Sequence, residues 1–288
     1  MTGILKRRWY AYRRDPKSLF LFLFVCLAAI LTVLAITFII AYILIKGIPN
    51  LTPELFEIKY TTENVSLLPA LINTLLITLL SLLFAVPAGI GAAIYLTEYA
   101  RRGNRLISVV GITAETLSGI PSIVYGLFGS LFFVKYLNLG LSLLSGALTL
   151  SIMILPLIMR TTEEALRSVP DSYREGSFGL GAGKLRTVFS IVLPCAVPGI
   201  LSGVILGIGR IVGESAALIF TAGTVAKIAD SFFSSARTLS VHMYSISGEG
   251  LYINQTYATA VVLLVVVILI NGLSGFVVKK IGGRNTDG

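Results

Sequence analysis

The chain has 288 residues, of which 55% are hydrophobic and 13% are charged. A soluble domain usually carries about 25% charged residues, so this apolar surplus exceeds what one soluble core can hide, and lipid is the expected solvent. The formal net charge of +9 would suit nucleic acid in a soluble protein. Here the basic residues cluster between apolar runs, which indicates membrane topology and no nucleic-acid partner.

Six apolar stretches without charged residues follow one another along the chain. A helix needs about 20 residues to cross a hydrocarbon core of about 30 Å, and lipid offers the backbone no outside partners, so each crossing must be helical. The sequence therefore predicts an all-α integral membrane protein with six transmembrane helices. The stretches are Leu19–Ile45, Leu67–Thr97, Thr116–Val134, Tyr136–Met159, Thr187–Gly209 and Gly250–Val278.

The distribution of lysine and arginine predicts the orientation of these helices. Residues 1–18 form a basic N-terminus, and residues 19–46 are too long for a signal core, so we expect a retained first span. With the N-terminus inside, 17 of the 23 lysines and arginines fall in cytoplasmic segments and five fall outside. Because cytoplasmic loops carry the excess of basic residues, both termini are expected in the cytoplasm.

Three segments depart from a simple series of crossings. The region from Leu106 to Leu137 is too long for one crossing and is interrupted by Glu115 and the run Gly119-Ile120-Pro121, and proline breaks a helix. We therefore expect a short helix at the cytoplasmic face and a span that starts near Pro121. The outer loop, residues 221–254, is expected to hold short helices. The inner loop, residues 161–190, has the helical patterning of a docking element.

This inner loop contains a motif with a fixed spacing. The run Glu175-Gly176-Ser177 is followed four residues later by Gly181 and, after nine more residues, by Ile191-Val192-Leu193-Pro194. The pattern resembles the coupling-loop signature of ABC importer permeases, which reads Glu-Ala-Ala, three residues, Gly, nine residues, Ile-x-Leu-Pro. Two alanines are replaced by Gly176 and Ser177. Agreement is found at Glu175, Gly181, Ile191, Leu193 and Pro194.

The local chemistry of the motif suits a helix that docks on a partner. Pro170 and Asp171 favour a helix start, and Gly181 can adopt the left-handed conformation that ends a helix. The resemblance implies that the loop sits in a groove of an ATPase subunit. The alternative is an ordinary amphipathic connector.

The fifth stretch combines close packing with intramembrane charge. Gly199, Gly203 and Gly207 form a stripe of small residues that lets helices approach closely. Arg210 and Glu214 continue this face at offsets of three and four. An arginine within a span usually faces an aqueous path, and its planar fork suits a tetrahedral oxyanion. We expect Glu214 to neutralise Arg210 when no anion is bound; the alternative is a permanent structural ion pair.

Three runs carry a closer resemblance, to the PstA-type permeases of phosphate ABC importers. They are Gly209–Gly223, Ser118–Gly129 and Arg160–Pro170. The resemblance implies a MetI-like permease core over residues 68–280 in a bacterial plasma (inner) membrane. It further implies a PstC-type permease, two ATPase subunits and an external phosphate-binding protein as partners.

The remaining polar residues leave alternatives open. Arg160 is either path-lining, as the resemblance suggests, or a snorkelling anchor. The glycine-rich run ending at Lys184 has Leu185 where a phosphate loop needs Ser or Thr, so ATP hydrolysis is assigned to a partner, and no cofactor or metal is expected. His242 is interpreted as a surface residue. The rival functions are permease for phosphonate, sulfate or molybdate, and scaffold or signalling component of a phosphate-sensing complex.

Overall fold

The computed structural model describes residues 16–100 and 105–282. Within these ranges, five helices are long and apolar enough to cross a membrane, and a bent pair of shorter helices brings the number to as many as six. In chain order the helices are α1 (Pro16–Gly47), α2 (Leu68–Tyr99), α3 (Arg105–Ser118), α4 (Ser122–Tyr136), α5 (Leu143–Arg167), α6 (Asp171–Gly179), α7 (Lys184–Val212), α8 (Ala216–Thr221), α9 (Leu239–Glu249) and α10 (Ile253–Gly282).

The fourth span differs from its prediction. The helix α5 begins at Leu143 and ends at Arg167, whereas the apolar stretch ran from Tyr136 to Met159. Asn138 and Gly140 adopt positive φ angles of 54° and 67°, which turns the chain before the helix can start. Ser142 then caps α5 by accepting a hydrogen bond from the Ser145 amide at 3.2 Å, as N-cap serines do.

The third stretch is broken near Pro121, as predicted. The axes of α3 and α4 differ by 104°, and the Tyr125 hydroxyl reaches across the bend to donate to the Leu117 carbonyl at 2.8 Å. Residues 116–118 therefore belong to the short helix α3 and not to the span itself.

The core lies between α2, α5 and α7. Ile77 of α2, Ile154 and Ile158 of α5, and Ile211 of α7 are buried in one cluster. Two-thirds of the most apolar window of α5 (67%) is buried, against 0% for α1. The helix α5 is therefore the centre of the bundle, while α1 lies at its edge, in contact with α10.

The bundle has two ends, which we name by what covers them. The loop end carries residues 168–183, and the cap end carries residues 48–67 and 222–252. The buried Asn73 of α2 fixes the cap: its amide donates to the carbonyls of Lys227 (2.8 Å) and Arg237 (3.2 Å) and accepts from the Ala229 amide (3.0 Å). The long loop before α9 is thus tied to the bundle.

The interpretation of His242 as a surface residue is wrong. Its side chain on α9 is fully buried, edge-on to the Tyr60 ring with centroids 6.0 Å apart, and 3.5 Å from the Arg237 guanidinium. Burial, helped by the positive charge of Arg237, lowers the pKa of His242 to about 4 because both disfavour the protonated ring.

Part of the basic pattern lies outside the described residues. This holds for residues 1–15 of the predicted basic N-terminus, for Arg101 and Arg102, and for Arg284.

Candidate functional site

Arg210 lies in the last turn of α7 and is half-buried. Among the residues the structure describes, no carboxylate forms an ion pair with it. A guanidinium in this position keeps its hydrogen-bonding fork available to an anion.

Glu214 does not pair with Arg210. The helix α7 ends at Val212, with Gly213 as its C-cap, so the offset of four no longer places the two side chains on one helical face. Glu214 is buried, and its Oε1 accepts a hydrogen bond from the Ala217 amide at 3.0 Å. It therefore satisfies an orphan donor at the start of α8, which was not expected from the sequence.

The small-residue stripe of α7 faces α5. A Cβ added at Gly199 would overlap Ala165, and one at Gly203 would overlap the Thr161 side chain, whereas one at Gly207 would meet Ile154 at an ordinary 3.8 Å. Gly199 and Gly203 thus leave room for the side chains of Ala165 and Thr161, which lets the Arg210 helix pack against the centre of the bundle.

Arg160 lies on α5 near the loop end, with a side chain that is 56% exposed. It forms ion pairs with Glu115 of α3 (3.6 Å) and with Glu164 of its own helix (3.4 Å). These groups line a cleft of about 380 Å³ between α3 and α5, together with Glu163 and Arg167. The structure does not bring Arg160 together with Arg210 in this cleft.

The inner loop, residues 161–190, has the predicted local geometry, and we call it the docking loop after its predicted role. The helix α6 starts after Pro170 and carries Asp171 in its first turn, and Gly181 has a φ of +82°. The Ala182 amide donates to the Ser177 carbonyl (3.1 Å) and the Gly181 amide to the Phe178 carbonyl (2.9 Å). This pair of bonds is the Schellman motif that ends helices on a left-handed residue.

The motif residues themselves lie on both sides of this turn. Glu175 is exposed on α6, while Ile191 and Leu193 are half-buried and Pro194 is exposed on α7. Ser177, which departs from the family pattern, shares a buried hydrogen bond of 2.8 Å with Thr187. The departure therefore adds a link between α6 and α7.

Two residues of this region were missed by sequence reasoning. Arg174 of α6 forms an ion pair with Glu98 of α2 at 2.7 Å. The partners are 76 residues apart, and each is an ordinary interfacial charge by position. No local pattern in the sequence pairs them.

Comparison with known proteins identifies the family. Residues 85–283 match the family model described as "Binding-protein-dependent transport system inner membrane component". The chain belongs to this family. It is 37% identical over 205 residues (70% of this chain, 67% of the relative) to the phosphate transport system permease protein PstA 1 of Mycobacterium tuberculosis. The resemblance to PstA-type permeases of type I ABC importers is thereby confirmed.

Other relatives of this permease family carry different names. A probable ABC transporter permease protein of Bacillus subtilis, YqgI, is 34% identical over 241 residues, covering 78% of this chain and 81% of the relative. The phosphate transport system permease protein PstC of Mesorhizobium japonicum is 31% identical over 251 residues, covering 77% and 76%. All are permeases of the transport family, so the assignment of ATP hydrolysis to a separate subunit is confirmed.

Solved structures of ABC transporters share the fold of this permease. The bacterial alginate ABC transporter in complex with an alginate-bound periplasmic protein matches 96% of this chain and 98% of its own, with a TM-score of 0.62 and 19% identity. The methionine transporter MetNI in an inward-facing conformation matches 73% and 91%, with a TM-score of 0.57 and 20% identity. The all-α MetI-like permease fold is confirmed.

Proposed function

We propose that this chain is the permease subunit of an ATP-driven importer of inorganic phosphate in a bacterial plasma membrane. It forms the translocation path with a PstC-type permease, between two ATPase subunits on the cytoplasmic side and a phosphate-binding protein outside. The support for phosphate is the 37% identity to a PstA-type relative together with the chemistry of Arg210.

The observation that carries the proposal is the half-buried Arg210, which no carboxylate neutralises in the described part of the chain. Because Arg210 has no carboxylate partner in that part of the chain, a permanent structural ion pair does not explain why an arginine lies in this span. An unpaired charge within a span is costly, so we infer a functional reason for it. A tetrahedral oxyanion offers the oxygens that the guanidinium fork binds best. Arg210 is therefore assigned to the path, with the buried carboxylate of Glu214 four residues away.

In this proposal the docking loop transmits the movement of the ATPase subunits to the membrane-spanning helices. The loop end faces the cytoplasm, and both termini lie on that side. ATP binding closes the ATPase dimer and displaces the Glu175 loop together with the corresponding loop of the partner permease, which rocks the spans from inward-facing to outward-facing. Arg160 lies at the cytoplasmic mouth of the path, where its two carboxylate partners compete with the departing anion.

The test is Arg210→Ala in the assembled complex, beside Arg210→Lys. Removing the guanidinium abolishes phosphate uptake, whereas the amounts of the partner permease and ATPase subunits in the membrane stay normal. Lysine keeps the charge without the fork and restores little uptake. The matched control is Lys227→Ala, which removes a cation paired with Asp230 on the exposed cap end. Normal uptake by the Arg210→Ala complex would contradict the proposal that Arg210 lines the translocation path.

A further inference from the structure

The guanidinium of Arg174 joins three elements at the loop end. Its Nη2 donates to Glu98 Oε1 (2.7 Å) in the last turn of α2 and to the Leu166 carbonyl (2.9 Å) at the end of α5. Its Nη1 donates to the Val169 carbonyl at 2.8 Å. Arg174 itself belongs to α6. One side chain therefore fixes the docking helix α6 to the end of α2 and to the end of α5.

This ion pair differs in burial from the other pairs of the described residues. The side chains of Arg174 and Glu98 are 15% and 8% exposed, whereas the Arg160–Glu115 and Lys227–Asp230 side chains are all more than half exposed. Exposed pairs contribute little to stability. Removing one partner of a buried pair leaves an uncompensated charge, which is strongly unfavourable. Loss of either side chain is therefore more costly at this pair than at the exposed pairs.

The position of the pair suits the transmission of movement. Glu98 lies in a π-helical turn, Tyr95–Tyr99, that ends α2, and Arg174 immediately precedes the exposed Glu175 of the docking motif. The other half of α6 is tied to α7 by the buried Ser177–Thr187 hydrogen bond. A force applied to α6 thus reaches α2 at one end of the docking helix and α7 at the other.

We propose that the Arg174–Glu98 pair is the joint that makes α6 move as one body with α2, so that Arg174 is a positioning residue for coupling ATP hydrolysis to transport. This inference rests on the proposed function, in which α6 docks on an ATPase subunit. Since α2 packs along α5 and α5 packs along α7, movement of the joint is passed to the helix that carries Arg210.

The test measures phosphate taken up per ATP hydrolysed by the complete complex in proteoliposomes, together with the amount of ATPase subunit retained. Arg174→Ala keeps the ATPase subunits bound, but uptake per ATP falls about fivefold or more, the range of typical coupling between sites. For Arg174→Lys, which keeps the charge but not the planar fork of donors, uptake per ATP falls less. The control Lys227→Ala removes the exposed ion pair with Asp230 and leaves uptake per ATP unchanged.

A double variant separates coupling from mere disruption. In Glu98→Gln/Arg174→Ala the neutral amide replaces the carboxylate, so no buried charge is left without a partner. Uptake per ATP is then no lower than in Arg174→Ala alone, because two residues that act as a unit give non-additive effects. Unchanged uptake per ATP in an assembled Arg174→Ala complex would overturn the proposal. Loss of the ATPase subunits from both Arg174→Ala and Arg174→Lys would also overturn it, because Arg174 would then be a docking contact.

A distance measurement makes the inference independent of the substrate. Spin labels replace Gly91 of α2 and Gly179 of α6, both of which face open space, in a chain without Cys26 and Cys195. In the wild-type complex the distribution of distances between the two labels is narrow, and addition of ATP does not change it. In the Arg174→Ala complex the distribution is broader. A wild-type distance that shifts with ATP would refute the joint. If the distance stays constant but the complex imports no phosphate, only the assignment of phosphate as the substrate is refuted.

Discussion

Single residues show what the charge pattern can and cannot reveal. Arg210 could be found from the sequence because a charge inside an apolar stretch is conspicuous whatever the tertiary structure. The hydrogen bond of Glu214 to the Ala217 amide could not, because it depends on α7 ending at Val212. The burial of His242 was missed for a similar reason: it depends on Tyr60 and Arg237, which are distant in sequence or belong to a loop.

The buried His242 makes the stability of the cap end depend on pH. Its pKa is lowered from 6.5 to about 4 in the folded chain, so at neutral pH the ring is neutral in both the folded and unfolded states. As the pH falls from about 6.5 to about 4, the unfolded chain takes up the proton and the folded chain does not. Stability therefore falls across this window, by roughly 3 kcal/mol from this group alone.

The measurement is the thermal unfolding midpoint of the detergent-solubilised protein between pH 7 and pH 4, followed by circular dichroism. Carboxylates also titrate in this range, so His242→Gln serves as the control, since the amide cannot take up the proton. The wild-type midpoint should fall more steeply than that of the variant. Parallel curves for the two proteins would show that His242 does not carry the effect.

At the scale of elements, the turn after α6 depends on one glycine. Gly181 has a φ of +82°, and a Cβ there would meet no neighbouring atom, so the cost of Gly181→Ala is conformational and about 1–2 kcal/mol. We expect the substitution to loosen the end of the docking helix and to weaken retention of the ATPase subunit.

The matched control is Gly183→Ala, because Gly183 also faces open space but has an ordinary φ of −74°. Co-purification of the ATPase subunit with each variant is the measurement. Retention should fall for Gly181→Ala and stay normal for Gly183→Ala. Equal retention would show that the left-handed turn does not matter for docking.

Element positions followed the sequence where an apolar stretch continued as one helix, and failed in the fourth stretch, which contains a turn although Lys135 and Arg160 bound it. The helices α1, α2, α7 and α10 lie within a few residues of their predicted spans. The displacement of α5 comes from Asn138 and Gly140, which are turn residues whose short signal was missed within the surrounding apolar run. The extension of α5 to Arg167 is supported by ion pairs four residues apart, Arg160–Glu164 and Glu163–Arg167, which stabilise a helix.

At the scale of the whole molecule, the proposal fixes which end of the bundle faces outward. Leu251 at the cap end and Leu180 at the loop end are 80% and 90% exposed, which makes them a matched pair for cysteine labelling in a chain without Cys26 and Cys195. A membrane-impermeant maleimide added to intact cells should label Leu251→Cys. Labelling of Leu180→Cys should require permeabilised membranes. The reverse pattern would place the docking loop outside and contradict the proposed orientation.

Inorganic phosphate is the proposed cargo of this permease. The most direct test is uptake of radiolabelled phosphate by cells that lack their own importers and express this chain with its PstC-type, ATPase and binding-protein partners. We expect ATP-dependent uptake that excess unlabelled phosphate blocks, while sulfate, molybdate and phosphonate do not. Uptake blocked by one of those other oxyanions, or no uptake by a fully assembled complex, would contradict it.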